Sequence, residues 1–329
     1  MTGWASLAVL VAASSVLLAM VCALVVSLGV HFGETWLDDM AMRGRVRLVL
    51  LMAVAPMAVS ATILVLCFTP SLLAVAGLMS DHCLQHFHDH LHLCFQHLPT
   101  IGPGATACVA TAAGLVAFAA ATRTAAVSLR RGQALRRSLS SVARGSDDSA
   151  EPVHWVDSPA SLTLTVGLWR PRVFMSRGMA ALLDPSELAA ALAHERCHAR
   201  ERHGLIKLVA LCGSVMHLPG ARRRLLQWVS LACERRADED AARRVSRLSV
   251  ASAILRAHRA APKTGGPLAF ALTGDAPSTL SRRINALLAP AVPSEGSGET
   301  RLLRALCGLG VAACFEVHHA VEAAISLLV

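Results

Sequence analysis

Residues 191–203 read ALAHERCHARERH. The stretch sets His194 and His198 four residues apart, with Glu195 directly after the first histidine. On an α-helix positions i and i+4 share one face. Both imidazoles can therefore turn to one ion while the glutamate stands beside it. Three residues at a set spacing also arise by chance on a solvated helix, so the flanking sequence has to choose between the two readings.

Upstream, Asp184-Pro185-Ser186-Glu187 has the form of a helix start: a capping residue, a proline in the first turn and an acid there. The expected helix runs from Pro185 through the quoted stretch. Before it, alternation in Ser161–Val166 predicts a strand, Arg172–Met175 a second one, and Ser176 caps a short following helix. Downstream, Trp228–Val245 is a helical pattern with Glu234 and Asp238 one turn apart. A catalytic zinc takes three protein ligands and a water, and two histidines with a glutamate are an established set. His194, His198 and Glu234 are thus the candidate metal ligands. Glu195 is the candidate general base, and Asp238 the candidate hydrogen-bond partner behind a histidine ligand. Such a site suits metal-assisted hydrolysis, with the ion acidifying a water and the carboxylate taking its proton. Cys197 and Cys233 adjoin the ligands in sequence but point elsewhere on their helices, and are read as packing residues.

The composition places this helix pair in a membrane protein. Of 329 residues, 54% are hydrophobic and 16% charged, against about 25% charged in a soluble domain. No charge occurs in residues 1–30, longer than the roughly 20 apolar residues a span needs, and no basic start marks a removable leader. Further apolar runs cover residues 48–78 and 101–121, and a fourth follows Arg304. All of the 31 Lys and Arg residues except Arg43, Arg45, Arg47 and Arg304 fall between Arg123 and Arg301. By the positive-inside rule that segment is cytoplasmic. The same bias accounts for the net charge of +9 without nucleic-acid binding. The ten cysteines form no CxxC pair, against a thiolate zinc ribbon. The expected organisation is a three-span region over 1–122 with an outer loop at 80–100. A basic helix and linker follow over 123–152, then the cytoplasmic domain over 153–301 and a fourth span over 302–329.

HERCH, followed by CERRADEDAA and preceded by VDSPASLTLTVGLWRPRVFMSRGMAALLDPSELAAALAHE, resembles the membrane zinc peptidases of the gluzincin type, in particular the BlaR/MecR-like group. The resemblance implies a mainly α integral membrane protein of about four transmembrane helices. Its cytoplasmic domain would be a zincin-like α+β metallopeptidase binding Zn2+ through His194, His198 and Glu234. It implies an endopeptidase in the cell membrane that cleaves a cytoplasmic regulator, such as a winged-helix transcriptional repressor, in signal transduction. The group's penicillin-binding sensor, which follows the fourth span, is expected to be lacking here. Two other readings compete: a housekeeping membrane peptidase of the HtpX or CAAX-processing kind, and a non-catalytic metal-sensing receptor.

The outer loop DHCLQHFHDHLHLCFQH suits the last of these. It repeats His82, His86 and His90 every four residues, and His88 and His92 likewise, two imidazole rows that can take zinc, copper or nickel on a helix. A polar loop with idle histidines is the plain alternative. With no tyrosine in the chain, the donor that stabilises the transition state has to be another group. His203, His217 and Arg283 are the candidates.

Overall fold

The computed structural model describes residues 3–32, 42–78, 80, 95, 98, 104–146, 152–260 and 277–289. The chain opens with three long helices, α1 (Gly3–Phe32), α2 (Met42–Val75) and α3 (Ala105–Val142). All three are long and apolar enough to cross a membrane, which suggests a membrane protein. They are held together by small-residue packing and by hydroxyls that reach across. Ser60 Oγ donates to the Ser15 carbonyl at 2.8 Å and Thr111 Oγ1 to that of Val9 at 3.1 Å. A Cβ on Gly114 would lie 2.4 Å from Val16 Cγ2, so only glycine lets α3 approach α1 this closely. Val109, Leu115, Val116 and Phe118 stay exposed on the outer face of α3, an apolar surface that needs a partner or a lipid phase. The expected fourth span at 302–329 and the outer-loop histidines 82, 86, 88, 90 and 92 lie outside the described residues.

The basic stretch after residue 122 is no separate helix. α3 continues through it without a break for 38 residues, and its end supports a four-stranded sheet. The strands are β1 (Ala143–Ser146), β2 (Val153–Val156), β3 (Thr163–Val166) and β4 (Arg172–Ser176), in the order β1-β2-β4-β3. β2 and β4 are parallel, and the two outer pairs are antiparallel. Side chains alternate across the sheet. Phe174, Leu164 and Val166 pack on Leu135 and Leu139 of α3, whereas Val173 and Met175 face the helical layer with Met179, Ala191 and Ala253. The strands expected at 161–166 and 172–175 are β3 and β4. β1 and β2 were not foreseen, and β1 occupies part of the stretch read as linker.

The helical layer comprises α4 (Arg177–Leu182), α5 (Pro185–Arg200), α6 (His203–Gly213), a 3-10 turn (Ser214–Met216), α7 (Pro219–Arg244), α8 (Arg247–Ala260) and α9 (Pro277–Leu288). α6, the turn and the start of α7 form a hairpin whose tip wedges among the three long helices. His217 Nε2 meets the Ala53 carbonyl at 3.3 Å, and a Cβ on Gly213 would lie 2.7 Å from Val54 Cγ1. Ala53 is eleven residues into α2, about 16 Å along its axis. Val30, Val49 and Ala53 share one apolar cluster with Ala210, Leu225, Val229 and Cys233. One face of α7 therefore packs on the ends of α1 and α2.

Candidate metal centre

α5 is fixed at its start by a capping box. Asp184 Oδ1 accepts from the Ser186 and Glu187 amides at 2.9 Å, and Glu187 Oε2 accepts from the Asp184 amide at 3.0 Å. The other Glu187 oxygen lies 3.0 Å from Arg256 Nε on α8 and accepts from Ser252 at 2.5 Å. With its first turn locked from two sides, α5 presents His194 and His198 on the face that meets α7, His194 about two turns beyond Glu187.

There Glu234 completes a triad. His194 Nε2 and His198 Nε2 are 3.0 Å apart, and Glu234 Oε2 is 3.4 Å from the first and 3.5 Å from the second. His194 is 2% exposed. Among the described residues these three are the group whose donor atoms can hold a metal ion. Two imidazole nitrogens and a carboxylate oxygen converging on one point are the donors zinc takes, and a cation between them relieves the crowding of their lone pairs. The residues fit the ion.

Each histidine is held from behind. His194 Nδ1 lies 2.9 Å from Asp238 Oδ1, oblique to the ring N–H and so more an ion pair than a linear hydrogen bond. Asp238 is gripped through both oxygens by Arg283 of α9, with Nε to Oδ2 and Nη2 to Oδ1 each at 2.8 Å. On the other side His198 Nδ1 meets His203 Nδ1 at 2.7 Å. Arg202, in the left-handed region at φ 51°, makes the turn that folds His203 back under His198. This conformation costs a non-glycine residue energy. His203 Nε2 reaches Glu201 Oε2 at 3.3 Å, and Glu201 Oε1 accepts from Arg236 at 2.5 Å. The relay is satisfied when His198 Nδ1–H donates to His203 and His203 Nε2–H donates to Glu201. That leaves the His198 Nε2 lone pair for a metal.

Electrostatics follow this enclosure. Burial opposes charge on Glu234, but Lys207 and His198 beside it hold its carboxyl well below the usual range. Burial likewise disfavours the Asp238 carboxylate, and Arg283 overrides it. His194 is pushed up to about 9: burial works against protonation, and contacts with Asp238 and Glu234 outweigh it. His203 is pushed down to about 3 by burial, reinforced by His198, and stays neutral. Burial raises the Cys197 and Cys233 thiols to about 12, so both are unreactive packing groups.

Glu195 is 2% exposed. The Thr165 hydroxyl on β3 stands 2.7 Å from its Oε2 and 3.0 Å from its backbone carbonyl oxygen. Among the described residues β3 pairs only with β4, so no strand pairs with its other edge. Lys207 of α6 donates to Glu234 Oε1 at 3.0 Å, and Arg283 Nη1 is 3.5 Å from Glu234 Oε2.

The three expected transition-state donors do not sit that way. His203 lies behind His198, Arg283 is occupied by Asp238, and His217 faces Ala53 among the apolar helices. Reading by local spacing missed the parts played by Thr165, His203 and Arg283. One signal was available for the last: Arg283 falls in the apolar row Leu280, Ile284, Leu287 of α9, where an arginine needs a buried acid. No curated protein and no solved structure matches the chain. Residues 129–291, which carry every side chain of this centre, match the model of Peptidase family M48 and so indicate a metallopeptidase.

Proposed function

We propose that the chain is a zinc-dependent endopeptidase held in a membrane, with His194, His198 and Glu234 as ligands and Glu195 as general base. Residues 153–301 would form the peptidase domain, on the cytoplasmic side. The observation that carries this reading is the convergence of two histidine Nε2 atoms and Glu234 Oε2, with both Nδ1 atoms held from behind. Bound there, zinc would supply a Lewis acid for a water and a peptide carbonyl. The chain's own residues do the rest. Asp238 and His203 hold the imidazoles in register, and the buried Glu195 takes the proton of the attacking water and returns it to the leaving amine. The open edge of β3 aligns an extended substrate by strand addition.

A cytoplasmic regulator, such as a winged-helix repressor, is the substrate that the BlaR/MecR-like resemblance supports, and signalling the role. The hairpin wedged among the apolar helices favours a second reading. It puts the centre close to the bundle, where a housekeeping peptidase of the HtpX or CAAX-processing kind meets membrane-proximal chains. The fourth span and metal binding by the outer-loop histidines 82, 86, 88, 90 and 92 remain parts of the proposal.

The test compares wild type, Glu195→Gln and Glu234→Ala, each purified in detergent with the outer loop removed. Zinc content and cleavage of fluorescein-labelled casein are measured. The reading expects about one zinc per chain in the first two and its loss in the third. Glu195→Gln should slow cleavage by about 10²- to 10⁴-fold. Undiminished function in zinc-loaded Glu195→Gln would instead favour a non-catalytic metal sensor.

A further inference from the structure

We propose that Thr163 and the apolar cleft beside His194 form the specificity pocket of the centre, taking an uncharged substrate side chain that carries a hydrogen-bonding atom. The inference rests on the peptidase reading above and names the substrate class of that same site. The cleft lies between α4, α5, α8 and β3, and its free space, the open side included, is about 370 Å³. Ala190 and Ala191 of α5 and Ala253 and Ala257 of α8 leave the room for it, and His194 of the triad is part of the same wall. Apart from His194 and Thr163, every lining side chain is aliphatic or methionine. A charged guest would be buried there without an opposite charge, which is strongly unfavourable.

Thr163 marks the cleft as more than a packing void. The residue is 3% exposed, and its hydroxyl has no hydrogen-bond partner among the described residues. Buried hydroxyls in a finished core are bonded, and one left bare destabilises the fold. A hydroxyl both donates and accepts, so a guest with either kind of atom at that end of the cleft satisfies it. β3 also sets the register. Thr163 and Thr165 are two residues apart on this strand and face the helical layer together, about 7 Å from each other. Thr165 stands 2.7 Å from Glu195 Oε2. A substrate added along the edge of β3 that no strand pairs with would bring its scissile bond to Glu195 and an adjoining side chain to Thr163. The plain alternative is a dry void between α5 and α8 with Thr163 at one end.

The two separate by experiment on the full-length, zinc-loaded protein. Cut sites in casein are mapped by mass spectrometry. The peptide around the strongest one is then remade with Ala, Thr, Val, Asn, Leu or Lys at each residue flanking the cut. Cleavage is followed as kcat/KM on wild type, Thr163→Val and Ala253→Leu, and binding of the same peptides to Glu195→Gln by calorimetry. At one flanking position wild type should favour Thr over Val and Asn over Leu, each about 2- to 10-fold, and Lys should be rejected in both assays. Thr163→Val should lose or reverse that preference and keep its zinc. It should melt no lower than wild type, because it removes an unpartnered buried group. Ala253→Leu, which fills the cleft, should turn the preference toward Ala. The pocket is overturned if wild type treats Thr and Val alike at every flank, or if either variant keeps the wild-type preference. It is overturned too if Thr163→Val melts more than about 2 °C lower, since the hydroxyl would then be bonded within the fold. Should Ala253→Leu fail to fold, Thr163→Val decides alone. Zinc-loaded wild type that cuts no casein would overturn the peptidase reading itself, and this inference with it.

Discussion

Replacing Arg283 with methionine tests the support behind the metal centre most directly. The guanidinium makes two 2.8 Å bonds to Asp238, and both side chains are at most 3% exposed. Methionine fills much of the volume but leaves the Asp238 carboxylate buried against His194 alone. Removing one member of a buried pair costs about 3–5 kcal/mol, because the partner's charge is stranded. At about 2–4 °C per kcal/mol for a domain of this size, the apparent Tm should fall by about 6–20 °C. Zinc affinity should fall too, by about 10- to 100-fold, the usual loss when a histidine ligand's backing group is disturbed. Differential scanning fluorimetry in detergent and chelator competition measure the two effects. Adding Asp238→Asn removes the stranded charge, so the double variant should melt higher than Arg283→Met alone, a coupling of about 1 kcal/mol or more. An Arg283→Met protein that melts within about 1 °C of wild type and binds zinc equally would refute the account of a buried electrostatic clamp.

Thr165→Val removes the hydroxyl beside Glu195 Oε2, and kcat should fall about tenfold or more with zinc content unchanged, since a hydrogen bond to a charged group is worth about 1.5–3 kcal/mol. Thr165→Ser should restore it, and an unimpaired valine variant would refute a positioning role. Because His194 is raised to about 9 without metal, it is protonated at neutral pH. Zinc binding at pH 7.5 should therefore release about one proton, seen as a buffer-dependent heat in titration calorimetry; buffer-independent heats contradict this. His203 is lowered to about 3 by burial, below the roughly 6.5 of an unfolded histidine. Its contribution to stability is whole above about pH 6.5 and is lost as pH falls toward 3, at up to about 1.4 kcal/mol per pH unit. Melting curves from pH 7.5 to 5 should fall more steeply for wild type than for His203→Gln, and equal slopes would exclude the effect.

What could be read from the sequence was what local spacing encodes. The histidines at 194 and 198, the carboxylates at 234 and 238, and the caps at Ser176 and Asp184 each depend on residues within one helical turn. The groups that were missed depend on contacts distant in the chain. Arg283 stands 45 residues beyond its acid. His203 reaches His198 only because the helix ends at Arg200 and Arg202 turns left-handed, a conformation that local spacing does not encode for an arginine. β1, with sequence ARGS, has no strand pattern at all. It is extended because β2 pairs with it and α3 ends beneath the sheet. Lys207 meets its acid, Glu234, only because α7 returns beside α6, 27 residues along the chain.

The apolar seam between α7 and the ends of α1 and α2 ties the candidate metal centre to the long apolar helices. Leu225, Val229 and Cys233 lie in the same cluster as Val30, Val49 and Ala53, and Glu234 is the next residue along α7. A fragment starting near residue 123 would strip that cluster of Val30, Val46, Val49 and Ala53, four of its ten buried members, and leave the helix bearing Glu234 poorly supported. On this packing the centre and the long helices are expected to unfold as one cooperative unit. Delipidation, or a detergent that loosens the bundle, should release metal in the same transition that separates the helices, and no soluble, zinc-competent core should survive limited proteolysis.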